Sequence, residues 1–257
     1  MNHPFPKRIQ MILAQLLLLL PSSRLSASST DDCARSNKGD YVVLLHGLGR
    51  TCLSMKRLEW TLKKERYQVV NLTYPSTRLS LQELATNWLP QMLSEQTPEA
   101  SAKIHFVTHS LGGIILREHL QDHKIPNPGR VVMLAPPNHG SEVADKLQHN
   151  IFYKFFTGPA GQELGTKASR TLTWEGAAQF ELGIIAGDRS LNPWLSAYIG
   201  GPNDGKVSVQ SAKLEGMQDF LVVHHSHTWM MWRQDVTAAI SGFLNSGRFP
   251  GKAAPFS

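Results

Sequence analysis

The sequence of 257 residues predicts an α/β fold, with a mostly parallel sheet covered by helices on both faces. Short apolar runs of strand length alternate with amphipathic segments of helical length along most of the chain. The composition is globular, with 41% hydrophobic and 18% charged residues, and this excludes a disordered or collagen-like chain. The sequence contains no internal repeat. Strands that alternate with helices are joined by right-handed crossovers, and such crossovers make the strands parallel.

Six short runs carry the strand signal, because they are apolar, rich in β-branched residues and bounded by polar or turn-forming residues. In chain order they are YVVLL (41–45), YQVVNL (67–72), KIHFVT (103–108), RVVML (130–134), GIIA (183–186) and DFLVV (219–223).

Four segments have the length and periodicity of helices. The second of them begins with a capping box formed by Ser80 and Glu83, and its apolar face consists of Leu81, Leu84, Ala85 and Trp88. The predicted helices cover residues 53–66, 80–94, 112–123 and 233–244.

The amino terminus has the layout of a secretory signal peptide. Lys7 and Arg8 precede an apolar stretch, Ile9–Leu20, which is shorter than the roughly 20 residues of a membrane span. A segment of Pro, Ser and Ala follows. We therefore predict that residues 1–29 are a signal peptide and that the protein is secreted or periplasmic; the alternative is an uncleaved anchor in the inner membrane. In an oxidising compartment Cys33 and Cys52 could form a disulfide, and the sequence leaves this open.

Ser110 is the candidate nucleophile. The motif VTHSLGG (107–113) lies between the third predicted strand and the helix that follows it. A serine on such a tight turn presents its Oγ above the carboxyl edge of the sheet, and the turn needs small neighbours. Gly112 and Gly113 meet that need, but Thr108 stands where the G-x-S-x-G pattern has its first glycine. A threonine is tolerable there if its side chain points away from the helix. The alternative is a serine that merely caps the helix.

A glycine-rich loop, HGLGR (46–50), follows the first strand at the same edge of the sheet. Acyl transfer passes through a tetrahedral oxyanion, which needs backbone N–H donors. Gly47 and Gly49 free the loop to present one such donor. We predict that the N–H groups of Leu48 and Leu111 form this pair.

A serine nucleophile also needs a base and an orienting carboxylate. Asp204 lies in a turn-rich segment, NDGKVS (203–208), and Asp188 follows the fifth strand. Three candidate bases follow the last strand: His224, His225 and His227. The same histidines with Asp204 could ligate a metal, although three histidines within four residues at a strand end are awkward ligands for one ion.

From His46 to about Leu244 the chain resembles the α/β hydrolases of the lipase and esterase type. The motifs that carry this resemblance are HGLGR, THSLGG, APPNHGS, NDGKVSV and SHTWMM. The resemblance implies an α/β-hydrolase fold and a serine hydrolase that needs no cofactor or metal. Its implied site consists of Ser110 as nucleophile, Asp204 as acid, His227 as general base, and Leu48 and Leu111 as oxyanion donors.

Within this resemblance, His227 is preferred because the family pattern has a small residue, a histidine, a threonine and then a hydrophobic run. His225 is the fallback, and His224 is expected to be structural. Asp204 is preferred over Asp188, because Asp188 adjoins Arg189, whose guanidinium would compete with a histidine for it.

Residues 141–181 form a long insertion at the position where α/β hydrolases carry a cap or lid. Its aromatic group, Phe152, Tyr153, Phe155 and Phe156, suits an apolar acyl chain or transient contact with a lipid or membrane surface; alternatively these rings pack the cap onto the sheet. The predicted hydrolase domain is 36–246, and 247–257 is a tail.

The function expected from the resemblance is hydrolysis of a carboxylic ester, either a small molecule or a lipid, through a Ser110 acyl-enzyme. Thioesterase, amidase or acyltransferase activity would use the same residues. A non-catalytic α/β-hydrolase-fold protein that binds lipid or a partner is a further alternative, and Thr108 is its only support. The net charge of +6 does not indicate nucleic-acid binding. The first 27 residues hold three basic and no acidic side chains, so +3 remains without them.

Overall fold

Six parallel strands form one sheet in the order β2-β1-β3-β4-β5-β6. The structure is a computed structural model that describes residues 39–140, 158–161, 180–191 and 193–251. The strands are β1 Tyr41–Leu45, β2 Gln68–Asn71, β3 Ile104–His109, β4 Pro128–Leu134, β5 Glu181–Gly187 and β6 Asp219–Val223. The parallel sheet predicted from the alternation of strands and helices is confirmed, and β1 and β6 have the predicted bounds.

Helices connect these strands. They are α1 Lys56–Lys64, α2 Leu81–Glu83, α3 Leu89–Gln96, α4 Leu111–Asp122, α5 Pro193–Ile199, α6 Val209–Ala212 and α7 Gln234–Ser246, with 3₁₀ turns at Cys52–Met55 and Met230–Trp232. The four predicted helices are present. Short α5 and α6 were not predicted, because four to seven residues give too little periodicity to detect.

The helix predicted over 80–94 is interrupted by a π-helical segment, Leu84–Trp88. It begins at the predicted capping box of Ser80 and Glu83. In the π segment the Leu89 N–H bonds to the Leu84 carbonyl, so the Ala85 carbonyl is available to the ring of His119, 2.8 Å away. No sequence pattern predicted this exchange of partners.

Apolar side chains fill both faces of the sheet. Alternate residues of β1 contribute to the two sides: Val43 and Leu45 to one cluster, and Val42 and Leu44 to the other. The first cluster includes apolar residues of α3 and α4, and the second includes those of α1 and α7. The helices thus cover both faces, as the near-continuous apolar strands predict.

Several predicted segments lie outside the described residues: the signal peptide, Cys33, and most of the insertion 141–181, including its aromatic group. Cys52 is half-buried and has a free thiol. Residues 158–161 form a helical turn in which Ala160 is buried in the first cluster. Within the predicted tail, Phe249 is buried against Phe243, with 5.0 Å between ring centroids. Among the described helices none is long and apolar enough to cross a membrane.

Candidate active site

Ser110 occupies a strained turn at the carboxyl edge of the sheet, between β3 and α4. Its backbone has φ 53°, a region that non-glycine residues seldom adopt. The turn brings strand and helix very close together, because a Cβ on Gly112 would lie 2.5 Å from the Leu45 carbonyl oxygen. The geometry is that of a nucleophile elbow, in which the serine hydroxyl stands above the sheet.

Thr108 fits into this elbow in a way that the sequence did not predict. Its buried Oγ1 faces α4, at 3.2 Å from the position that a Cβ on Gly113 would occupy. The threonine was expected to need a side chain pointing away from the helix. The structure accommodates it facing the helix, because the second glycine of the motif leaves room.

The loop after β1 forms a tight turn beside Ser110. The Arg50 N–H donates to the Gly47 carbonyl at 3.1 Å, and Gly49, with φ 66°, supplies the positive φ that a type II turn requires at this position. Ser76 fixes the far side, since its Oγ accepts from the Gly49 N–H at 3.0 Å. A Cβ on Gly47 would lie 3.4 Å from the Ser110 Cβ, so the turn borders the serine directly.

The ring of His46 fixes the peptide unit that carries the Leu48 N–H. His46 Nε2 accepts from the Tyr74 N–H at 3.2 Å, so the proton is on Nδ1, which donates to the Gly47 carbonyl at 2.8 Å. Burial lowers the pKa of His46 and favours this neutral form. With the Gly47 carbonyl held inside the turn, the Leu48 N–H of the same trans peptide points out of the turn.

Tyr74 supports the same loop from behind. Its ring stacks on His46 with 3.9 Å between centroids, and its hydroxyl donates to the His46 carbonyl. Trp88, in the π-helical segment, packs against the other side of Tyr74 at 4.9 Å. The sequence did not identify Tyr74, which is 28 positions away from His46.

The second predicted oxyanion donor, Leu111, is the first residue of α4. The first four N–H groups of a helix have no acceptor within the helix, and they lie at its positive dipole end. Leu111 directly follows Ser110, and Leu48 follows Gly47, which borders Ser110, so both predicted donors belong to the backbone around the serine.

Asp204 and His227 form a buried pair, with 2.7 Å between Oδ2 and Nδ1. The other carboxylate oxygen accepts from the backbone N–H groups of Lys206 and Val207 at 3.0 and 2.8 Å. The His227 N–H donates to the Asp204 carbonyl at 3.1 Å, which ties the two loops together. Gly187, at the end of β5, leaves the space that the Asp204 side chain and the His225 carbonyl occupy.

His109 anchors the loop of His227 to the elbow. Its Nε2 is 3.0 Å from the His227 carbonyl oxygen, to which it donates, and the two rings are 4.8 Å apart. Burial holds the pKa of His109 well below its ordinary value, and the nearby His227 lowers this pKa further, so the ring of His109 is neutral. Because His109 directly precedes Ser110, the contact ties the loop of His227 to the serine elbow.

The rival residues pair elsewhere. Asp188 binds the exposed His224 at 2.9 Å, and His225 binds Asp235 at 2.8 Å. The three histidines thus have three separate carboxylate partners. Among the described residues no group of three His, Cys, Asp or Glu side chains could hold a metal ion.

A buried arginine supports the loop after β4. The sequence did not predict this role. Arg117 of α4 donates to the carbonyl and side-chain oxygens of Asn138 at 3.1 and 2.9 Å. Burial lowers the pKa of Arg117 to about 10. Asn138 in turn donates to the Ala212 carbonyl at 2.8 Å. His139 is exposed and lines an open cavity of about 520 Å³ with residues 199–202, 208, 210 and 211.

The parallel sheet, its helices and the serine elbow after β3 define the α/β-hydrolase fold, and this confirms the fold prediction. Solved structures of bacterial lipases and esterases are similar to this chain. The mature form of the lipase BlEst2 from Bacillus licheniformis is 20% identical, with 82% of this chain and 92% of that chain covered at a TM-score of 0.66.

Two further similar structures share less of their length. The metagenomic carboxyl esterase MGS0156 is 20% identical, with 74% of this chain and 64% of that chain covered at a TM-score of 0.60. Phospholipase PlaB from Legionella pneumophila is 20% identical, with 68% and 46% covered at a TM-score of 0.55, so this chain spans about half of PlaB. No protein-family model matches the sequence, and no curated protein matches it significantly.

Proposed function

We propose that this protein is a serine hydrolase of carboxylic esters, with Ser110, His227 and Asp204 as its catalytic triad. The observation that carries the proposal is the buried hydrogen bond of 2.7 Å between His227 and Asp204. It is supported by the ring of His109, one residue before Ser110, which bonds to the His227 carbonyl, and by the positive φ of Ser110. The similarity to bacterial lipases and esterases supports an ester substrate.

In the proposed reaction, Ser110 Oγ attacks the ester carbonyl carbon while His227 Nε2 takes the hydroxyl proton. Nε2 is the free nitrogen, since Nδ1 faces Asp204. The carbonyl oxygen becomes an oxyanion, which accepts hydrogen bonds from the N–H groups of Leu48 and Leu111. The fixed turn and the amino end of α4 provide these donors already oriented, so little reorganisation accompanies the charge.

The tetrahedral intermediate collapses when the carbon–oxygen bond to the alcohol breaks and His227 returns its proton to the departing oxygen. This leaves an acyl group on Ser110. Water then repeats the sequence: His227 takes its proton, the hydroxide adds to the acyl carbon, and the acid leaves as Ser110 is reprotonated.

The test is hydrolysis of p-nitrophenyl esters of increasing chain length by the purified protein and by Ser110→Ala. We expect activity in the first and at least about a 10³-fold loss in the second, in line with the effect of removing a triad member. Equal rates above background would exclude Ser110 as the nucleophile. No rate above background in either protein would favour a non-catalytic binding protein. A thioester, an amide and an acceptor alcohol, assayed beside the esters, distinguish ester hydrolysis from the other acyl-transfer reactions.

We further propose that the amino-terminal segment exports the protein, on the strength of its basic start and apolar stretch. Mass spectrometry of the protein from its native host should find an amino terminus near residue 30 in the periplasm or medium. The full-length chain in the inner-membrane fraction would instead indicate an uncleaved anchor.

A further inference from the structure

A groove of about 330 Å³ runs beside the proposed active site. It lies between the turn after β1 and the segment after His227, and in sequence its lining begins one residue after Leu48 and two residues after His227. We call it the Arg50 groove; its lining residues are Gly49, Arg50, Thr51, Leu53, Ser54, Trp229 and Trp232.

Apolar side chains form much of its surface. Leu53 is 66% exposed, Trp229 48% and Trp232 39%. Side chains of this size are costly to leave in water, and an arrangement of several marks a contact site. The backbone beneath them is satisfied, since the Cys52 N–H donates to Thr73 and the Ser54 N–H to Thr51.

Arg50 is the charged side chain of this groove. Its main-chain N–H belongs to the turn beside Ser110, so the position of its Cα is fixed. The lysine and arginine ion pairs of the described residues lie elsewhere, at Glu59 and Glu181. The Arg50 guanidinium therefore has no carboxylate partner among the described residues, although it is half-buried.

The positive charge of Arg50 acts on two side chains that neighbour the proposed triad in sequence. Packing lowers the pKa of Lys206, two residues after Asp204, and repulsion from Arg50 lowers it further. Arg50 also contributes to the low pKa of His109, although less than burial does. A half-buried guanidinium without a carboxylate partner, near a second cation, favours an anionic ligand.

We propose that the Arg50 groove binds an anionic group of the ester substrate, a carboxylate or a phosphate, through the Arg50 guanidinium. The indole rings of Trp229 and Trp232 then contact the apolar part of the same molecule. The proposal rests on the proposed esterase function and specifies its substrate class: amphiphilic esters with a negative charge.

The kinetic test compares matched esters that differ in one anionic group. Mono-p-nitrophenyl adipate against p-nitrophenyl hexanoate tests a carboxylate on the acyl side, and dioctanoyl phosphatidic acid against dioctanoylglycerol tests a phosphate on the alcohol side. In Arg50→Gln, the ratio of kcat/KM for the anionic to the neutral ester should fall about tenfold in at least one pair. Arg66→Gln removes an exposed charge at the opposite edge of the sheet and should leave both ratios unchanged.

A binding measurement separates this proposal from the proposed function. Calorimetry with octyl phosphate on Ser110→Ala protein should give a Kd that rises about tenfold when Arg50→Gln is added, but not when Arg66→Gln is added. An unchanged Kd together with unchanged ratios in both ester pairs would overturn the anion site. If the wild-type protein hydrolysed no ester but octyl phosphate binding still depended on Arg50, only the esterase function would be overturned.

Discussion

Replacing Tyr74 by Phe isolates one hydrogen bond that supports the oxyanion loop. The buried Tyr74 hydroxyl donates to the His46 carbonyl, one peptide before the unit that carries the Leu48 N–H. Phe keeps the ring that stacks on His46, and it keeps the main-chain N–H that donates to His46 Nε2. The substitution therefore leaves a buried carbonyl oxygen without its hydroxyl donor and changes little else.

The size of the effect follows from that unpaired acceptor. Leaving one buried polar group unsatisfied costs about 1–3 kcal/mol, and about 1.4 kcal/mol corresponds to a tenfold change in rate. Complete loss of an oxyanion donor typically costs about 10²–10³ in kcat. Since the Gly47 carbonyl keeps both of its own donors, we expect an intermediate result: kcat falls about tenfold, and KM changes little.

The assay is steady-state hydrolysis of p-nitrophenyl butyrate, with urea unfolding of the same samples. Tyr67→Phe is the matched control, because Tyr67 is also a buried tyrosine, and its hydroxyl donates to Asn245 at 3.5 Å, far from the loop. Tyr67→Phe should alter stability but not kcat. If both variants lost activity only in proportion to their unfolded fraction, the proposed support of the oxyanion donor by Tyr74 would be wrong.

Three other predictions concern the triad acid, the elbow and the response to acid. Asp204→Asn should lower kcat for the p-nitrophenyl ester by about 10³–10⁴-fold. Asp188→Asn should change this kcat less than about threefold, because Asp188 contacts only the exposed His224 among the candidate bases. Gly112→Ala should lower the unfolding free energy in urea by about 3 kcal/mol, since its Cβ would meet the Leu45 carbonyl. Burial lowers the pKa of His105 from 6.5 to about 4, so its contribution to stability is complete above about pH 6.5 and is lost as the pH falls towards 4. Urea unfolding should show a loss of up to about 3 kcal/mol over that range; His105→Gln should flatten the dependence, and an unchanged slope would contradict the assignment.

Local signals allowed most of the fold to be predicted from the sequence. Strands such as Tyr41–Leu45 are buried on both faces, so they appear in the sequence as continuous apolar runs. Ser80 and Glu83 mark the start of a helix, because their side chains form a capping box with the local backbone. The π-helical segment at Leu84–Trp88 could not be predicted in the same way. The carbonyl that it releases, that of Ala85, pairs with the ring of His119, more than thirty positions away in sequence.

In the candidate site, too, the residues in local motifs could be predicted from the sequence, and those that depend on distant partners could not. Ser110 and the turn after β1 belong to local motifs whose glycines are required by contacts within a few residues or at the next strand. The choice among His224, His225 and His227 needed the resemblance, because each of them follows the same strand. What separates them in the structure is the carboxylate partner supplied by another segment of the chain: Asp188, Asp235 or the buried Asp204.

The site contains several imidazole rings, and the hydrogen bonds of His46 and His109 explain why these two rings do not compete with His227 for a proton. His46 and His109 are both buried, and burial lowers the pKa of each. Each uses one ring nitrogen as a fixed donor, His46 to the Gly47 carbonyl and His109 to the His227 carbonyl. Neutral rings add no positive charge to the site, so in the proposed reaction the transient imidazolium of His227 is opposed by fewer like charges. The two rings therefore position the oxyanion loop and the base, and the proton exchange of the proposed reaction is left to His227.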